Sequence, residues 1–219
     1  MTVLAPLHFA DAREAAALAA FLTRLVHYDR AAAVRLQAGG GALAVFGRPP
    51  SFEVLAIRTA RLVDEVTFDL TVSAGELLDG IEESAGKAVV PGSVTGPPWT
   101  GVLPPRGGWQ PVSGLPGAPE MRAVVAAAVS EFRSRDEELP EELRTRAERD
   151  RIGREIWART LGSTGLPLRA VHAAQSLGFL PPGEAPVALF ASGPWLRLRT
   201  PYGSVALRTV PMSLGVAPR

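Results

Sequence analysis

The pattern of apolar residues predicts an α+β fold. An N-terminal helix is followed by a four-stranded antiparallel meander and a second helix. A Gly/Pro-rich connector then leads to a helical C-terminal part that closes with a β-hairpin. Three observations predict it. Around residues 11–26 and 119–161 apolar side chains recur at three and four, the period of a helix buried on one side. Between residues 32 and 72 the period drops to two, that of a strand with one covered face. The links between those strands are too short for parallel crossovers, so their pairing is antiparallel. Composition divides the chain into residues 1–85 (α+β), 86–118 (connector) and 119–219 (helices and hairpin).

The first helix runs from about Asp11 to Val26. Asp11 and Glu14 have capping-box spacing, a short acceptor at the N-cap and a carboxylate three residues on. Ala15, Leu18, Ala19, Leu22, Leu25 and Val26 form its apolar stripe. "AAVRLQA" and "ALAVFG" flank Gly39-Gly40-Gly41, a hairpin signal. After Pro49-Pro50, "FEVLAIRT" gives a third strand. "VTFDLTV" gives a fourth, with Val66, Phe68, Leu70 and Val72 on one face. Ser73 with Glu76 caps a second helix that turns Leu77, Leu78 and Ile81 inward.

Gly86 to Pro119 is too rich in Gly and Pro for regular structure. It is not a plain polar linker, because Trp99 and Trp109 are costly to leave in water. The segment is therefore expected to lie over the surface of its own chain, or to dock on a partner. Pro119 then opens a helix with Met121, Val124, Val125, Ala128 and Phe132 inward, and Pro140 opens a longer one to about Leu161. Along this second helix, Glu142–Arg146, Asp150–Arg154 and Glu155–Arg159 stand at i, i+4, as on a solvated face. Leu143, Ala147, Trp157, Ala158 and Leu161 share one side, whereas Ile152 and Ile156 fall opposite. Either this helix breaks near Gly153, or it touches neighbours on two sides, as a helix does when it serves both its own core and, through Ile152 and Ile156, self-association. A short helix, Pro167 to Leu177, precedes the closing strands.

In the closing hairpin, Gly193 to Thr209, Leu196, Leu198, Val205 and Leu207 alternate with Trp195, Arg197, Arg199 and Arg208. An even loop, Tyr202-Gly203 or Pro201 to Ser204, pairs Leu198 with Leu207 and Arg197 with Arg208. That gathers three guanidiniums and an indole into a contact face for a partner or an anion. The acidic segment Asp136 to Leu143, of this chain or a neighbouring one, is the cheapest counter-charge.

The 23 Lys+Arg against 22 Asp+Glu argue against a protein devoted to wrapping duplex DNA. All the basic residues but Lys87 are arginine, a bias that weakens any argument from arginine number alone. The absence of cysteine removes disulfides, thiolate catalysis and Cys-based metal sites. "MTVLAPLHFADAREAA" lacks the basic-then-apolar order of a secretory signal, and no apolar run is long enough to span a bilayer, so a soluble cytoplasmic protein without a membrane partner is expected. No phosphate-cradling loop or nucleophile elbow is present. His8, His27 and His172 are far apart, so neither a metal nor a cofactor is expected.

The leading expectation is a non-enzymatic interaction or regulatory protein that associates with a protein partner, itself included, through its Trp/Arg hairpin face. One alternative is a nucleic-acid regulator of winged-helix type, in which Arg169, His172 and Gln175 read bases and the hairpin is the wing. The other is an enzyme whose site assembles in space from distant residues.

Overall fold

A computed structural model describes residues 5–209; residues 1–4 and 210–219, the ends of the first and third expected segments, lie outside it. The fold is α+β. Strand β1 (Leu7–His8) leads into helix α1 (Ala12–Tyr28), and β2 (Ala33–Gly39), β3 (Ala42–Gly47), β4 (Leu55–Arg61) and β5 (Phe68–Ser73) follow. Helix α2 (Ala74–Asp79), β6 (Ile81–Glu82), β7 (Lys87–Ala88) and β8 (Gln110–Val112) come next. Then come α3 (Ala118–Glu137), α4 (Arg146–Trp157), α5 (Leu168–Ser176), β9 (Ala188–Ser192), β10 (Trp195–Thr200) and β11 (Gly203–Arg208).

Eight strands form one antiparallel sheet in the order β5-β2-β3-β4-β11-β10-β9-β8, and β1, β7 and β6 form a small second one. The four N-terminal strands are those expected, but β5 returns to β2 instead of continuing beside β4, which is Greek-key order. That leaves β4 free to pair with β11, through Ile57↔Ser204, Ala56↔Val205 and Leu55↔Ala206.

The local signals act as their chemistry dictates. The Asp11 carboxylate accepts from the Glu14 amide at 3.0 Å, and the Ser73 hydroxyl from the Glu76 amide at 3.3 Å. Gly40 and Gly41, at φ 58° and 69°, supply the two left-handed positions of a two-residue hairpin. The helices cover one face of the sheet, with α1 packed on β4 and α5 on β11. Between these layers lies one core that draws on residues from Leu7 to Leu207.

The opposite face carries the connector. The Val94 amide donates to the Thr71 carbonyl at 2.8 Å, and Arg35 to the Thr100 carbonyl. Trp99 and Leu103 then pack on Phe46, Ile57 and Ala206, as Trp195 does. Farther on, the chain becomes β8 beside β9. Residues 94–109 thus form a strap that crosses the sheet from the β5 edge to the β8 edge.

Three expectations are corrected here. The long helix from Pro140 is instead a single 3-10 turn, Glu141–Leu143, followed by α4, because the Thr145 hydroxyl caps a new helix by accepting from the Glu148 amide at 3.3 Å. Helix α4 runs unbroken through Gly153, and Ile152 and Ile156 are 1% and 0% exposed. Both are spent in this chain's own core and are not available to a second copy. In the closing hairpin the leucines do face together, but the loop is Pro201-Tyr202. Trp195 stands opposite Arg208 and Arg197 opposite Ala206, two residues from the expected register. Proline has no N–H for the ladder, which excludes the Tyr202-Gly203 loop. The Thr200 hydroxyl closes the shorter turn by accepting from the Tyr202 amide and donating to the Gly203 carbonyl, each at 3.1 Å.

Candidate functional site

Alternation along β10 and β11 turns Leu196, Leu198, Val205 and Leu207 toward the helices and leaves Trp195, Arg197, Arg199, Ser204 and Arg208 on the strap side. The strap divides that side into two depressions. One, of about 680 Å³, is lined by Thr59, Trp109, Phe190, Arg197, Arg199 and Ser204. The other, of about 420 Å³, is lined by Arg48, Glu53, Trp99, Arg169, Trp195 and Arg208. The four expected contact residues therefore share one face of the sheet but occupy different hollows.

In the larger groove the Arg197 Nε–H donates to the Ser204 hydroxyl at 3.0 Å, and the guanidinium carbon lies 5.8 Å from the centre of the Trp109 ring. The indole is itself tethered, its Nε1–H donating to the Pro105 carbonyl at 3.0 Å. Burial, and secondarily the positive charge of Arg199, push the Arg197 guanidinium below its ordinary pKa. Among the described residues no carboxylate comes within 4.0 Å of Arg197, Arg199 or Arg208.

The acidic segment Asp136 to Leu143 does not meet this face within its own chain. Asp136 pairs with Arg149 at 2.7 Å, and Arg144 donates to the Glu137 and Leu139 carbonyls at 2.9 Å, which pins the segment at the α3–α4 turn. Of the expected helix pairs, Glu155–Arg159 forms at 3.8 Å, whereas Arg146 reaches Asp150. Glu155 also pairs with Arg135 at 2.8 Å, and Arg159 with Glu131, which clamps α3 to α4.

The winged-helix set is not brought together. Arg169 lines the smaller depression on the strap side, while His172 and Gln175 line a separate hollow beside Val125 and Arg133 of α3. His172 is held between aromatics: its ring stacks on Trp157 (centroids 4.4 Å apart) and meets Phe52 edge-on at 5.2 Å. Burial pushes its pKa down. The hairpin is not a projecting wing, because β10 pairs with β9 and β11 with β4, so both of its outer edges are spent in the sheet. His8 lies elsewhere, its Nδ1 2.8 Å from Asp64. Among the described residues no three His, Cys, Asp or Glu side chains are grouped to hold a metal, and no helix is long and apolar enough to cross a membrane.

Arg48 and Glu53 were not singled out by sequence pattern. Their signal is local: after Pro49-Pro50 the backbone holds Ser51 and Glu53 at φ 70° and 53°, left-handed positions that non-glycine residues seldom adopt.

The chain matches no curated protein at a significant level. Residues 3–101 match a family model described as Domain of unknown function (DUF8010), and residues 104–212 match a second, Domain of unknown function (DUF8185). The two matches meet inside the strap, and the β4–β11 ladder joins the regions on either side of it into one sheet.

Proposed function

We propose that this chain is a non-enzymatic cytoplasmic interaction protein that associates with a second copy of itself, the Arg197/Arg199 groove of one copy receiving the acidic α3–α4 turn of the other. The observation that carries this reading is the uncompensated cation pair: a half-buried Arg197 beside Arg199, with no carboxylate at hand among the described residues. Unpaired charge in a partly desolvated groove is unfavourable until an anion arrives. The same chain offers one. Glu137, Glu138, Glu141 and Glu142 are exposed at the turn, and Leu143 beside them is 54% exposed. The carboxylates complement the guanidiniums, and Leu143 complements the apolar walls at Phe190 and Trp109. Such a contact joins two different surfaces, so it is heterologous.

Charge reversal tests this reading. Sedimentation velocity of the wild-type chain should give a concentration-dependent dimer or longer chain that loosens between about 50 and 500 mM salt, as screening requires. R197E/R199E and E141R/E142R should each sediment as monomers, and an equimolar mixture of the two should associate again. A wild-type monomer at every concentration, or a mixture that stays monomeric, overturns it. Salt-sensitive binding of labelled duplex or single-stranded nucleic acid that R197E/R199E abolishes would move the groove to the nucleic-acid reading.

A further inference from the structure

We propose that the smaller depression binds a flat aromatic anion of mononucleotide size, a ring bearing a phosphate or carboxylate. This site lies on the other side of the strap from the Arg197/Arg199 groove and does not depend on self-association. Its lining brings three guanidiniums, from Arg48 after β3, Arg169 at the start of α5 and Arg208 at the end of β11, against the single carboxylate of Glu53. Two indoles, Trp99 from the strap and Trp195 from β10, supply the aromatic surface. The Arg208 guanidinium carbon stands 5.9 Å from the centre of the Trp195 ring. A volume of about 420 Å³ suits a small ligand.

Two observations mark the hollow as built for a ligand. The Arg169 Nε is buried and has no hydrogen-bond partner; Glu53 forms an ion pair with it at 3.6 Å, just beyond hydrogen-bond distance. A buried charged donor left unmade is costly, and a ligand oxyanion would satisfy it. Glu53 itself sits in left-handed backbone, strain of the kind that collects at ligand clamps. An oxyanion on Arg169 and Arg208 would place the attached ring against the indoles, leaving Glu53 to accept from a ring amino or hydroxyl group.

The lining is also split between the two matched regions. Arg48, Glu53 and Trp99 come from residues 3–101, and Arg169, Trp195 and Arg208 from residues 104–212, so the hollow is complete only when both are present.

Tryptophan fluorescence and equilibrium dialysis of the full chain test it with four probes: AMP, 1-naphthoate, adenosine and inorganic phosphate. AMP or 1-naphthoate, or both, should bind at least about tenfold more tightly than adenosine and inorganic phosphate, and the stronger of the two tells whether the anion is phosphate or carboxylate. R169Q and R208Q should each weaken that binding by about tenfold, and exposed R48Q, which does not endanger the fold, should weaken it as well. R197Q/R199Q should leave it unchanged, which separates this site from the self-association groove. Failure of both ring anions to saturate below about 1 mM, or binding indifferent to R169Q, R208Q and R48Q, overturns the proposal.

Discussion

Ile156 is fully buried between α4 and the rest of the core. Truncating it to alanine should therefore lower stability by about 2–5 kcal/mol, the cost of a lost side chain plus the cavity it leaves. Urea unfolding measures that loss, and sedimentation of the folded variant should match wild type, since this residue faces no second copy. His172 sets a pH dependence. Burial lowers its folded pKa below the unfolded value, so the fold keeps the ring neutral. Its stability contribution is complete above the unfolded pKa near 6.5. It declines as the pH falls toward the folded pKa, because the unfolded chain takes up the proton first. Unfolding free energies measured from about pH 7 to 5 should fall in wild type and flatten in His172→Phe, which keeps an aromatic ring between Trp157 and Phe52. At this scale the sequence was informative where one side chain decides matters. Asp11 and Ser73 cap their helices as their neighbours in sequence require. The burial of Ile152 and Ile156 was not legible, because a helical wheel tells which residues share a side but not how many sides are covered.

Among the elements, the closing hairpin separates what periodicity can decide from what it cannot. Alternation fixed the parity of the register, since a slip of one residue would turn leucines outward. It could not exclude a slip of two, which preserves both faces. Pro201 rules out only the Tyr202-Gly203 loop. The Thr200 hydroxyl, bonded to the Tyr202 amide and the Gly203 carbonyl, closes the two-residue turn instead of the four-residue one. Gly203 follows this turn at φ 154°, and a methyl group there would lie 2.5 Å from the Phe179 ring. Gly203→Ala should cost about 1–3 kcal/mol in urea unfolding through overpacking. The variant should also perturb the larger groove, because Ser204, the partner of Arg197, is the next residue. Helix α4 teaches a related point. Thr145 with Glu148 was a readable capping box inside a charged run, but Pro140 gave a competing start signal, and the cap prevailed.

For the whole molecule, strand order governs both the core and the sites. The elements were legible one at a time. That β5 returns to β2 was not, because order within a sheet depends on long-range pairing that local periodicity does not encode. The grouping of Arg48 and Glu53 with Arg169 and Arg208 follows from the β4–β11 pairing and from α5 packing on β11, both long-range, which explains why the smaller depression could not be read in advance. One sheet and one core should also unfold together. Denaturation followed by tryptophan fluorescence and by far-UV circular dichroism should give coincident transitions, despite the two family matches, and separated transitions would contradict the shared core. The β4–β11 ladder has a further consequence for how the chain is made. The Arg58 side chain of β4 donates to the Tyr202 carbonyl, 144 residues away in sequence. While the chain is being synthesised, β4 waits as an open sheet edge until β11 has emerged. A bare edge with apolar neighbours invites pairing with other chains. Late closure of the sheet is therefore built into this topology.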